Sequence, residues 1–236
     1  MSIFKRLALV LTAVVMSLPL YCCAEKEEDA SDSSSAEVSD SASESEVSEE
    51  SSEESSAAAY VQQDIPQEYD GSEIDDACAQ TISRYFTAIM NQEYEEYEAT
   101  LDPYYLQVYD DWLDGNFGYG METSFETMHQ SLMDAASVDE EGNAITVEKV
   151  TITKIALSPA EPTEEESDIN EAIDTYLASY DSAIGEGFTE ELKKQCDEVI
   201  AVRFTMTADC DGTERDILTD MELLMTVTDG EYRILG

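Results

Sequence analysis

Between Ala24 and Ala59 the chain carries no aromatic residue and only two branched aliphatics, Val38 and Val47. So little apolar area cannot offset the conformational entropy lost on ordering, so whatever folds into a core must lie further along. The same region is densely charged: residues 24–70 hold 16 acids and one lysine, and 13 serines fall between Ser31 and Ser56. Repulsion among the carboxylates extends a segment of this kind, giving an end-to-end distance of about 35–40 Å or more. It reads as a disordered acidic tether. The alternative, a calcium-collecting tail, lacks the fixed cage of oxygens that calcium selectivity requires.

Ahead of the tether, Lys5-Arg6 is followed by an apolar run from Leu7 to Leu20, interrupted by Thr12, Ser17 and Pro19, and then by Tyr21-Cys22-Cys23. A short basic start and an apolar stretch too brief for a comfortable membrane span form the layout of a secretory signal. Leu20 stands three residues before Cys23, Cys22 just before it and Ala24 just after. This arrangement resembles the signal and lipobox of bacterial lipoproteins. The resemblance implies cleavage between Cys22 and Cys23 and diacylglycerol transfer to the Cys23 thiol. It further implies a lipid-anchored protein on the extracytoplasmic face of the bacterial cell membrane. Two or three acyl chains suffice for lasting attachment. An ordinary secreted protein with incidental cysteines is the alternative.

These divisions leave residues 1–22 as signal peptide, 23–70 as lipidated cysteine and tether, and 71–236 as one domain of ordinary size. The domain alone holds 39 acids and 8 bases. A surface of that sign repels phosphate, which argues against nucleic acid as a partner and against direct attraction to anionic headgroups. The membrane is therefore reached through the lipid anchor.

Within the domain, Ile74, Cys78, Ile82, Tyr85, Phe86, Ile89, Met90, Tyr94 and Tyr97 recur at three- and four-residue steps, predicting one long amphipathic helix ending near Leu101. Asp102-Pro103 supplies a cap and a first-turn proline for a second helix, predicted to stop at Gly115. Thr123 with Glu126 reads as a capping box opening a third helix through Ala136. Residues 144–157 predict a strand whose alternation slips twice, as bulges require. Two further helices are expected from Ser167 or Asp168 to Gly185 and from Thr189 to Asp197. Clean alternation from Ile200 to Ala208 and from Met221 to Val227, with turns at Asp211-Gly212 and Asp229-Gly230, predicts a closing antiparallel meander. The fold class is α+β, with helices on one face of an antiparallel sheet.

The long opening helix with Ile89-Met90-Asn91-Gln92-Glu93-Tyr94 and the ending Val227-Thr228-Asp229-Gly230-Glu231-Tyr232-Arg233-Ile234 resemble small domains of unknown function in lipoproteins of Gram-positive bacteria. Their fold is similar to the cystatin and nuclear-transport-factor-2 group. That group hosts enzymes, binding partners and packing modules alike, so the likeness leaves function open.

Few residues offer chemistry. His129 is the only histidine, which excludes a histidine-cluster zinc site. It reads either as a general base beside Glu126 in a conical pocket or as a helix residue at the core edge, bonded to Glu126 or solvent. Cys78 and Cys196 lie on apolar helix faces, a bridge between them being conceivable, and Cys210 is expected to be exposed in its turn. Aligning Gly212 with the glycine of a calcium loop puts Thr207 and Leu218 where acids are required, so that motif fails and no metal or cofactor is expected. Asp110, Asp111 and Asp114 read as an exposed helix face. Six tyrosines fall between Tyr94 and Tyr119, together with Trp112 and Phe117. Tyr94, Tyr97, Tyr104, Tyr105, Trp112 and Phe117, with His129, form the candidate ligand pocket, suited to a cationic or polyhydroxyl ligand; filling the crevice between helix and sheet is the alternative. The expected function is a non-catalytic binding or interaction domain of unknown ligand or protein partner and open oligomeric state. The runner-up is a small-pocket enzyme using His129 and an acid.

Overall fold

The computed structural model describes residues 62, 64–71, 74–139, 142–158 and 167–236, with side chains after 158 described from Ile173 onward. The signal segment, Cys22, Cys23 and the tether up to residue 61 lie outside the described residues. Among the described residues, no helix is long and apolar enough to cross a membrane.

The elements run β1 (Gln67–Tyr69), α1 (Asp76–Asn91), α2 (Tyr94–Glu98), α3 (Pro103–Phe117), α4 (Met121–Ser137), β2 (Val147–Leu157), α5 (Ser167–Ala183), α6 (Phe188–Gln195), β3 (Glu198–Cys210), β4 (Thr213–Thr228) and β5 (Glu231–Leu235). The α+β class holds. Five strands lie in chain order in one sheet, antiparallel from β2 to β5, with β1 parallel to β2. The irregular alternation of β2 has its cause in two bulges, one between Val147 and Lys149 and one between Thr153 and Ala156, where Lys154 takes a positive φ of 54°.

The folded unit begins earlier than residue 71. Ile65 is buried, its N–H donates to Thr87 Oγ1 at 3.1 Å and its carbonyl accepts from Ser83 Oγ at 2.7 Å, both on α1. β1 is too short to show an alternation of its own, and it exists only because β2 offers an edge to pair with.

The predicted single helix from Ile74 to Leu101 is broken. Gln92 adopts a left-handed conformation (φ 59°) and closes α1, its N–H facing the Ala88 and Ile89 carbonyls. The chain resumes as the short α2. Thr100 to Asp102 then run along β5, with Ile234 N–H donating to Thr100 O at 2.9 Å and Asp102 N–H to Ile234 O at 3.0 Å. Those bonds satisfy the sheet edge, which a continuous helix would leave bare.

Asp102 then performs the predicted cap. Its Oδ1 accepts from the Tyr104 and Tyr105 N–H groups and its Oδ2 from Thr226 Oγ1 at 2.8 Å, while Pro103 occupies the first turn of α3. α3 continues past Gly115 to Phe117 and ends at Gly118 in the left-handed region (φ 73°). α4 starts at Met121, not at Thr123. Its orphan Met121 N–H is met by Asp110 Oδ1 of α3 at 2.7 Å, so a neighbouring helix supplies the cap in place of a local box.

The helices occupy both faces of the sheet, not one. Phe86 of α1 packs on Phe204 of β3, with centroids 5.1 Å apart. The preceding residue, Arg203, points to the opposite face, where it pairs with Glu222, which also accepts a hydrogen bond from Tyr176 of α5. On the α1 face, Val202, Phe204, Met206 and Ala208 of β3 and Met225 and Ile234 of β4 and β5 are fully or almost fully buried.

Candidate functional site

The aromatic residues form two linked chains. One runs from Phe204 through Phe86, Tyr85 and Tyr97 to Phe125 and Tyr94, with centroid separations of 4.9–6.2 Å. The other runs from Tyr119 through Phe117, Trp112, Tyr109 and Tyr105 to Tyr180, Phe188 and Tyr104. Tyr97 and Tyr105 are buried; Tyr94, Tyr104 and Trp112 are half-buried; Phe117 is 36% exposed. Burial holds the Tyr97 and Tyr105 hydroxyls well above the usual phenol range, and burial with Glu98, Asp110 and Glu122 nearby pushes Tyr94 up to about 12. The Tyr105 hydroxyl donates to Gly236 O at 2.8 Å, and that of Tyr180 reaches the same carbonyl at 3.1 Å. The aromatics thus staple the C-terminus and the helices around the β5 edge.

His129 stands apart from this stack. It is half-buried on α4, and its Nδ1 lies 2.7 Å from Ile89 O near the end of α1. A carbonyl only accepts, so Nδ1 carries a proton, and in the neutral tautomer this selects, the lone pair lies on Nε2. The Ile89 carbonyl, which also accepts from Gln92 N–H at 3.3 Å, is thus the ring's partner where Glu126 or solvent was expected; Glu126 lies on the exposed side of α4.

The described cysteines are free thiols. Cys78 is buried with Sγ 3.7 Å from Met225 Sδ, and burial with the Asp75 charge pushes its thiol up to about 12. Cys210 is buried, not exposed: β3 extends to it on the same face as Phe204, and Sγ lies 3.7 Å from Ala136 O of α4. Burial raises its thiol too, and burial with Asp102 and Asp197 raises Cys196. High thiol values disfavour the thiolate that nucleophilic or metal chemistry needs. Among the described residues, no cluster of three His, Cys, Asp or Glu could hold a metal ion.

A cleft that sequence reasoning missed lies where α5 and α6 meet β3 and the end of β2. Its volume is about 500 Å³, and Leu157, Ile173, Cys196, Ile200 and Ala201 line it beside Ser158, Asp174 and Lys193. Leu157 is 46% exposed, an unusual state for a large aliphatic. Lys193 Nζ and Asp174 Oδ1 pair at 2.7 Å in its wall. Beneath, Glu222 accepts from Ser158 Oγ, from the Tyr176 hydroxyl and from Arg203 Nη2 at 3.4 Å, tying β2, α5, β3 and β4 together. Burial alone would raise the Glu222 carboxyl; the Ser158 and Tyr176 hydrogen bonds and the Arg203 charge outweigh it and hold the group below its ordinary value. The cleft joins residues over 40 positions apart, so its only sequence signal was Leu157, an apolar residue just ahead of the Pro- and Glu-rich sequence 159–166. No family model, curated protein or solved structure matches this chain.

Proposed function

We propose that this chain is an extracytoplasmic bacterial lipoprotein, anchored through lipid on Cys23, whose folded domain belongs with the cystatin-like group and binds a ligand without catalysing a reaction. The observation that carries the binding reading is the α5–α6–β3 cleft. Its aliphatic lining beside an ion pair fits a small amphiphile with an apolar body and a polar end. Burial, with Asp102 and Asp197 nearby, raises the thiol in the cleft, and the Glu222 carboxylate is already engaged by three donors. Nile red, an uncharged apolar dye, tests the cleft. Its emission rises and shifts to the blue with the wild-type protein and does so several-fold less with Leu157→Asp, whose exposed position tolerates the change. Equal responses from the two proteins overturn the reading. The anchor is tested separately: Cys23→Ala abolishes incorporation of labelled fatty acid, and persistent labelling refutes Cys23 as the site.

The alternative, a small-pocket enzyme using His129 and an acid, draws on one observation. The Ile89 carbonyl leaves Nε2 as the basic nitrogen, the state a general base requires. Turnover of an ester panel by the wild type and its loss in His129→Gln would favour it; no turnover by the wild type removes it.

A further inference from the structure

Among the described residues, α5 packs on the face of the sheet that carries Arg203 at its Glu222 end. Toward the β3–β4 turn its residues are fixed by strand register. Thr207 of β3 pairs with Thr151 of β2 and Asp216 of β4, and Asp209 pairs with Lys149 and Glu214; Glu68 of β1 pairs with Thr153. α4 meets this end of the sheet on the opposite face, through Cys210 and Arg215. What remains is a face with Thr205 and Thr207 buried at its base, Thr151 and Thr153 half-buried, and charged residues exposed around them. A cleft of about 540 Å³ runs across it, lined by residues that include Thr153, Lys154 and Thr207. Glu68, Asp70, Glu214 and Asp216 line the same cleft and are exposed. Asp209 Oδ1 is buried and has no hydrogen-bond partner among the described residues, an unmet acceptor beside the cleft.

We propose that this open face docks an extended polypeptide segment bearing lysine or arginine. The surface is rich in acceptors, since carboxylates only accept, so its complement is a chain of donors. Five carboxylates against Lys149 and Lys154 set the sign of that partner. The size favours a peptide over a single ion. From Thr205 to Asp209 the strand runs about 13 Å, and the width from β1 to β4 is about 14 Å, room for four or five extended residues. The proposal is independent of the α5–α6 cleft.

The test is calorimetric titration of the mature chain with a (Lys-Ala)5 peptide at about 0.15 M salt, where charges more than about 8 Å apart are largely screened. One variant removes charge from the face (Asp209→Asn/Glu214→Gln/Asp216→Asn). A second removes the same charge elsewhere (Asp111→Asn/Asp114→Asn/Glu186→Gln), at exposed positions. The single substitution Glu214→Lys, at an exposed residue, replaces the triple variant should that fail to fold. The expected result is a loss of affinity of at least tenfold from the face variant or Glu214→Lys and under twofold from the control. Equal losses in both sets reduce the effect to net charge and overturn the proposal, as does absence of binding by the wild type. Spermine binding as tightly as the peptide, with the same sensitivity to the face variant, overturns the peptide in favour of a small polyamine.

Discussion

The side chain of Gln62 binds the backbone of Val150 as a peptide unit would: Nε2 donates to Val150 O at 3.1 Å and Oε1 accepts from Val150 N–H at 3.0 Å. The main chain of Gln62 is held in the same way by the Asn91 amide, with N–H to Oδ1 at 3.2 Å and Nδ2 to the carbonyl at 2.8 Å. Two side-chain amides therefore carry on the pairing that Pro66 O makes with Ile152 N–H at 2.9 Å. They join the start of the domain to the edge of β2 and the end of α1.

Removing this clip takes away both side-chain hydrogen bonds to the Val150 backbone. Gln62→Ala is expected to lower stability by about 1–2 kcal/mol. Gln62→Glu should cost as much or more, because a carboxylate opposes the Val150 carbonyl where a donor stood. Urea denaturation checks both, and unchanged midpoints would show that water substitutes for the amide.

Asp110 and Gly120 are coupled sterically as well as through a cap. A Cβ built on Gly120 would lie 2.7 Å from Asp110 Oδ1, the atom that accepts from Met121 N–H. Gly120→Ala therefore pushes the carboxylate off the start of α4, and Asp110→Ala removes it, each at about 1 kcal/mol. The double variant is expected to lose less than the sum, since the clash disappears with the carboxylate. A double-mutant cycle by thermal or chemical melting measures the difference.

Glu222 contributes a pH-dependent part of the stability. Its carboxyl is held below the ordinary value in the fold, so the unfolded chain takes up its proton first as pH falls. The contribution is complete above the unfolded value of about 4.3 and is lost as pH drops through the lower folded value. Glu222→Gln is expected to cost about 1–3 kcal/mol at pH 7 and progressively less toward pH 3. Denaturation curves at both pH values report the gap, and a gap that does not shrink in acid would contradict the assignment.

The aromatic chains separate core from surface. Tyr97→Ala opens a buried cavity and is expected to cost about 3–5 kcal/mol. Tyr105→Phe removes only the bond to Gly236 O and should cost about 1 kcal/mol. Phe117→Ala, on the exposed end of the second chain, should fall within about 1 kcal/mol of the wild type. Ranking the three by urea midpoint tests whether these side chains serve packing or a ligand.

Elements governed by near neighbours along the chain are legible in the residues themselves. Asp102-Pro103 starts a helix because the aspartate oxygen reaches N–H groups two and three residues on, and Asp211-Gly212 and Asp229-Gly230 turn the chain because both positions accept a positive φ. The same local logic fails at Thr123-Glu126, where Asp110 from another helix takes the capping role, and at Gln92, where pairing with the β5 edge outweighs an unbroken apolar stripe. The aromatic richness between Tyr94 and Tyr119 is plain from composition, but which rings are inside is settled by contacts with Tyr85, Phe125, Tyr180 and Phe188 from elsewhere in the chain. Alternation shows that Arg203 and Phe204 face opposite ways; it does not show that each face has its own helix. The α5–α6 cleft, the Glu222 junction and the acid-rimmed face beside Thr207 follow from that second layer. Periodicity and capping act over a few residues of backbone, whereas a cleft is the space left between elements brought together by burial, and no single segment encodes it.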